Sequence, residues 1–141
     1  MTNNLPKTMS KNTHFYLCAG VIFSLFSVIF GAFGAHALKA KISADMMAVF
    51  ETAVQYQMFH ALALILLGLL LHAFANTGQQ IKRFKLAGNL FLIGLVLFCG
   101  SLYVLSISGV KILGAITPLG GLAFILGWLI LLIALTKNSE K

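Results

Sequence analysis

The stretch Leu86–Ile107, LAGNLFLIGLVLFCGSLYVLSI, decides the fold, because it carries no charged side chain from end to end. A helix needs about 20 apolar residues to cross ~30 Å of hydrocarbon at 1.5 Å per residue. Three further runs are equally free of Asp, Glu, Lys and Arg: His14–Leu38, Tyr56–Ala75 and Leu113–Thr136. Lipid, rather than water, is therefore the solvent for which this chain is built. The composition agrees, at 60% hydrophobic and 9% charged residues with a mean hydropathy of +0.97. A soluble domain carries about a quarter charged residues.

In hydrocarbon every backbone N–H and C=O must be satisfied within the protein, which leaves helices or a closed barrel. Barrel strands alternate over about 10 residues, whereas these runs are continuously apolar and longer. The expected fold is an all-α integral membrane protein, a four-helix transmembrane bundle. Residues 14–136 form its single four-span domain, between an N-terminal tail of residues 1–13 and a C-terminal tail of residues 137–141. So little chain outside the spans leaves no room for a soluble catalytic domain.

The net charge of +7 raises nucleic acid as a partner, but position argues against it. The densest cluster is Lys82-Arg83 with Lys85, and the charges sit at span ends, where they set topology. With four spans, both tails and the 76–85 loop share one side and hold Lys7, Lys11, Lys82, Arg83, Lys85, Lys137 and Lys141. The other side holds Lys39, Lys41 and Lys111, offset by Asp45 and Glu51. This asymmetry predicts that both termini are cytoplasmic, and that the basic residues attract anionic lipid headgroups there at about 1 kcal/mol each. Lys7 and Lys11 before an apolar run also resemble a secretory signal, but a signal's apolar core is only 7–15 residues. Phe15–Leu38 fits an uncleaved span better. Cys18 and Cys99 lie about 15 Å apart in depth, too far for a disulfide, and their spacing excludes a Cys-x-x-Cys site.

Placed by depth, the polar side chains gather in the outer leaflet: His36, then Gln55, Tyr56 and His60, then Ser101 and Tyr103, then Thr117. Thr52, Tyr56 and His60 form one i, i+4, i+8 stripe, and His36 ends the neighbouring helix at a similar expected depth. A His36–His60 approach, met by Tyr103 or Thr117, is thus the sequence's candidate site, with Glu51 at its entrance as a gate, a proton acceptor or a solvated interfacial carboxylate. Such groups either glue helices through interhelical hydrogen bonds or bind a metal or haem, or relay protons. Two histidines without a carboxylate inside a span are too few for a metal site, so no metal and no cofactor are expected.

Gly31, Gly34, Gly100, Gly120 and Gly121 keep helix faces small, which lets backbones approach closely where lipid abolishes the hydrophobic drive. Gly88, Gly94, Gly114 and Gly127 extend the pattern. Gly120-Gly121 after Pro118 could also open the start of the fourth span, as in transporters, although proline is tolerated in a first turn. Between the first two spans, Ser43 can cap a short external amphipathic helix with Asp45 in its first turn. Its apolar positions Met46, Val49, Phe50 and Ala53 follow helical spacing. Trp128, placed in the inner half of the fourth helix, is expected to pack or to contact lipid near the cytoplasmic interface.

The blocks GAFGAHALK (31–39), FETAVQYQMFHALAL (50–64), LFCGSLYVLSISG (97–109) and ITPLGGLAFILGW (116–128) resemble, in order, the signatures of domain of unknown function 423. Vertebrate transmembrane protein 256 is similar to the same family. The resemblance covers nearly everything from Gly31 to Trp128, with Cys99 replacing the serine expected before Gly100-Ser101. It implies a four-span protein of the cell membrane, the inner membrane in a Gram-negative bacterium, and carries over no activity. The expected function is a non-enzymatic bundle or interaction protein in the bilayer, as a homo-oligomer or alone. The alternative is a small transporter, channel or proton-linked permeation factor that uses the outer polar cluster. A membrane enzyme is disfavoured, since no span holds a nucleophile–base pair.

Overall fold

The computed structural model describes residues 8–75 and 77–137; most of both expected tails, Lys7 and Lys141 among them, lies outside the described residues. Four helical spans are each long and apolar enough to cross a membrane: Lys11–Leu38, Ala44–Phe74, Gly78–Ser108 and Lys111–Thr136. The first is α1 (Lys11–Phe33) closed by a π-turn over Gly34–Leu38, and the second is α2 (Ala44–Phe74). The third is α3 (Gly78–Gly94), a π-turn over Leu95–Cys99, and α4 (Gly100–Ser108). A 3-10 segment, Lys111–Ala115, leads into α5 (Thr117–Thr136).

Side-chain caps set the helix starts. The hydroxyls of Ser10, Ser43 and Thr77 accept from the backbone N–H groups of Thr13, Met46 and Gln80 at 3.1–3.2 Å, each satisfying one of the orphan donors of a helix start. Gly109 ends α4 in the left-handed region, at φ 71°, which glycine adopts without strain. Pro118 sits in the first turn of α5, and that helix runs unbroken to Thr136. The segment expected as a short amphipathic helix is helical, and it is continuous with the second span from Ala44 onward. No glycine or proline between Ser43 and Gly68 breaks the backbone ladder.

The spans pair as two antiparallel hairpins. In the first, α1 and α2 meet at Gly20, where an added Cβ would lie 2.7 Å from the Ala61 carbonyl oxygen. Two side-chain bonds cross the same seam. Ser27 Oγ donates to the Val54 carbonyl at 2.8 Å, and Gln57 Nε2 donates to the Phe23 carbonyl at 2.9 Å. In the second hairpin, Gly94 lies beneath the Phe124 ring, Gly127 against Phe91, and Gly120 directly against the Phe98 backbone. The hairpins join along α2 and the third span, around the buried Leu64, Leu67, Phe84, Phe91, Leu95 and Cys99. Tyr16 ties α1 to α3, its hydroxyl 3.0 Å from the Lys85 carbonyl and 2.9 Å from Asn89 Oδ1. Both cysteines are free, Cys18 exposed and Cys99 buried.

Not every glycine expected to pack does so. Gly34 is tight against Phe50, at 2.8 Å for an added Cβ, and Gly31 and Gly121 are in ordinary contact with Val54 and Phe98. Gly100 meets nothing within 4 Å. Phe98 and Ser101, four and seven residues after Gly94, share its face toward the fourth span, and Gly100, six residues after it, does not. Gly20 and Gly68, which the sequence reading passed over, close the α1–α2 seam instead, Gly68 against Leu17.

Candidate functional site

The polar residues expected to converge fall into separate groups. The α1–α2 seam fixes the depth of each: Gly20 lies against Ala61, Ser27 against Val54 and Gly34 against Phe50. In this register His36 comes level with the first turn of α2, while His60 lies about 20 Å deeper at 1.5 Å per residue. The expected His36–His60 approach is therefore incorrect. Its physical reason is that α2 begins at Ala44, about three turns before Tyr56, which carries His60 toward mid-bilayer. His36 is exposed on the π-turn at the end of the first span, and Glu51 and Gln55 are exposed on α2.

His60 is 7% exposed and has a defined set of partners. Its ring stacks on Phe124, with centroids 3.5 Å apart and planes at 14°, and it meets the edge of Phe91 at 5.7 Å. Tyr56, one turn earlier on the same stripe, stacks at 6.0 Å and reaches Phe98 at 4.6 Å. The ring nitrogens are both used. Trp128 Nε1 donates to Nε2 at 3.2 Å, and Nδ1 lies 2.9 Å from the Tyr56 carbonyl oxygen. An indole N–H can only donate, so Nε2 must be the acceptor and Nδ1 must carry the hydrogen. The imidazole is thus held neutral in one tautomer. Trp128 packs as expected, while still 44% exposed, and its N–H links the fourth span to the second.

Ser101 and Thr117 come together at 2.8 Å. Each hydroxyl also has a backbone carbonyl within reach, Phe98 at 3.0 Å for Ser101 and Leu113 at 3.5 Å for Thr117, and the pair lies just after the wide turn at Leu95–Cys99. Tyr103 stands apart, edge-on between Phe30 at 4.9 Å and Phe50 at 5.0 Å, and its buried hydroxyl has no hydrogen-bond partner among the described residues. It shares no contact with His60.

Sequence reasoning missed Phe91, Phe124 and Trp128 as partners of the histidine. The signal was present in spacing: Phe124 and Trp128 are four apart on one face of α5, as Tyr56 and His60 are on α2. Among the described residues no three of His, Cys, Asp and Glu group so as to hold a metal.

Comparison with known proteins places this geometry in a family context. The family model "Protein of unknown function (DUF423)" matches residues 30–121. A UPF0382 membrane protein of Staphylococcus haemolyticus is 45% identical over 122 residues, which is 86% of this chain and 95% of the relative. The UPF0382 membrane protein YwdK of Bacillus subtilis is 44% identical, over 86% of this chain and 96% of its own length. No solved structure matches.

Proposed function

The chain belongs to the DUF423 family of membrane proteins, and we propose that it acts as a non-enzymatic bundle and interaction protein within the bilayer. One observation carries this reading: the one histidine buried in the membrane-spanning core spends both ring nitrogens, on the Trp128 N–H and the Tyr56 carbonyl. A proton relay needs partners that exchange protons and a metal needs a ring lone pair; here the partners are an indole N–H and a peptide carbonyl, which do not titrate, and the one lone pair already accepts from Trp128. Three buried serines support the same reading, since Ser27, Ser101 and Ser106 each donate to a backbone carbonyl, while the buried hydroxyls of Ser24 and Tyr103 have no partner among the described residues.

The experiment is flux. Proton-driven flux in liposomes bearing the unmodified protein is expected to stay at the level of empty liposomes. Flux above that level, lost in His60→Gln with the melting midpoint kept, would overturn the structural reading in favour of a permeation factor.

The charge asymmetry supports an orientation with both termini in the cytoplasm, in the inner membrane if the cell is Gram-negative. Lys82, Arg83 and Lys85 in the first turns of α3 then face anionic headgroups of the cytoplasmic leaflet. Reporter fusions after Thr136 are expected to read cytoplasmic and fusions at Lys41 external. The reverse pattern would sink the orientation. Self-association, as a homo-oligomer, belongs to the same interaction role.

A further inference from the structure

Between the second and fourth spans lies a groove of about 740 Å³ that opens sideways, toward lipid. The size suits a small amphiphile, since ligand sites run ~300–1,000 Å³. Its α2 wall is one exposed stripe at helical spacing: Gln55, Phe59, Leu62 and Leu66, with Glu51 one turn above Gln55. Trp128 forms part of the opposite wall. The stripe changes character along its length. Glu51 and Gln55 stand at the end near the 109–116 connection, and everything deeper is apolar.

A carboxylate followed by an amide and then three turns of apolar surface matches the order of groups in a phospholipid: charged head, ester, acyl chain. Glu51 lies where the second span leaves the hydrocarbon. About 20 residues of α2 span the membrane, and with His72 at the far end that stretch starts near Glu51. The Gln55 amide and the Tyr56 hydroxyl, 41% exposed with its residue, then fall at the ester level. The Glu51 carboxylate, one turn from Gln55, is complementary to the ammonium of a zwitterionic head and repels an anionic one.

We propose that this groove holds one zwitterionic phospholipid, its ammonium at Glu51, an ester at Gln55 and Tyr56, and an acyl chain along Phe59, Leu62 and Leu66. The assignment concerns the leaflet opposite Lys82, Arg83 and Lys85 of α3 and stands whether or not the bundle conducts. A second copy of the chain is the rival occupant.

The chain's single tryptophan lines the groove, which makes the test direct. Trp128 fluorescence is read in vesicles of mixed phosphatidylcholine and phosphatidylglycerol, with mid-chain bromine on one lipid or the other as quencher. Brominated phosphatidylcholine is expected to quench beyond its mole fraction, with a preference of about fivefold over brominated phosphatidylglycerol, the size of one charge interaction at a membrane surface. Glu51→Gln, on an exposed position that leaves the fold intact, is expected to bring that ratio close to one, whereas Gln55→Leu, which loses an ester contact both lipids offer, is expected to lower quenching by both and keep the ratio. Equal quenching by both lipids in the unmodified protein would mean ordinary surrounding lipid and overturn the site. A preference unchanged in Glu51→Gln would overturn the headgroup assignment. Weak quenching by either lipid at every fraction would mean that protein covers Trp128, and would overturn the lipid in favour of a second copy.

Discussion

Gly120→Leu is expected to unfold the bundle or to lower its stability by about 3 kcal/mol or more, at the upper end of what overpacking costs. The reason is what the new side chain would strike. A Cβ at Gly120 would run into the backbone nitrogen and Cα of Phe98, and backbone cannot swing aside as a flexible side chain does. The α3–α5 hairpin would have to separate, and with it the Ser101–Thr117 bond and the stack of Phe124 on His60. Gly100→Leu is the matched control, because an added Cβ there meets open space. Its midpoint is expected to stay within about 0.5 kcal/mol of the unmodified protein, as for changes away from packed features. Thermal unfolding of both variants in nanodiscs checks the pair. Equal destabilisation by the two substitutions would mean that the third span is rotated from its orientation here.

The contrast between these two glycines marks how far the sequence could be read. Charge-free runs such as Leu86–Ile107 reveal the spans directly, because hydrocarbon admits little else. The caps at Ser43 and the tolerated Pro118 are equally legible, being local chemistry. Depth was harder. An apolar run shows where charge is absent but not where a helix begins, and the three amphipathic turns from Ala44 moved His60 away from His36. Rotation about the helix axis was harder in the third span, because a glycine's small size does not say which way it faces, and no residue in LVLFC announces the π-turn at Leu95–Cys99. Before that turn Gly88 and Gly94 pack as expected, against Tyr16 and Phe124. After it, small size alone singled out Gly100, while the chain presents Phe98 and Ser101, at i+4 and i+7 from Gly94. A hydrogen bond between His60 and Trp128, 68 positions apart, follows from the assembled register alone.

His60→Ala is the other large expected effect, about 3 kcal/mol, in the range for removing a buried ring. The second and fourth spans do not pack along each other closely, and the contacts that join them run through this imidazole and Tyr56 to Phe124 and Trp128. Alanine would empty the stack on Phe124 and leave the Trp128 N–H without an acceptor in hydrocarbon. His60→Phe separates the two losses. It keeps an aromatic plane against Phe124 but removes both ring nitrogens, so it is expected to cost about 1 kcal/mol, the size of one interhelical hydrogen bond in a membrane. Trp128 reports on the loss independently, because an indole deprived of its acceptor emits at shorter wavelength. The expected order of melting midpoints is therefore unmodified, then His60→Phe, then His60→Ala, with the emission shift present in both variants. If His60→Ala melted with the unmodified protein, the imidazole would not join the hairpins, and the observation that carries the structural role would be lost. If His60→Phe fell as far as His60→Ala, the hydrogen bond to Trp128, and not the stacked ring, would be what holds the second and fourth spans together.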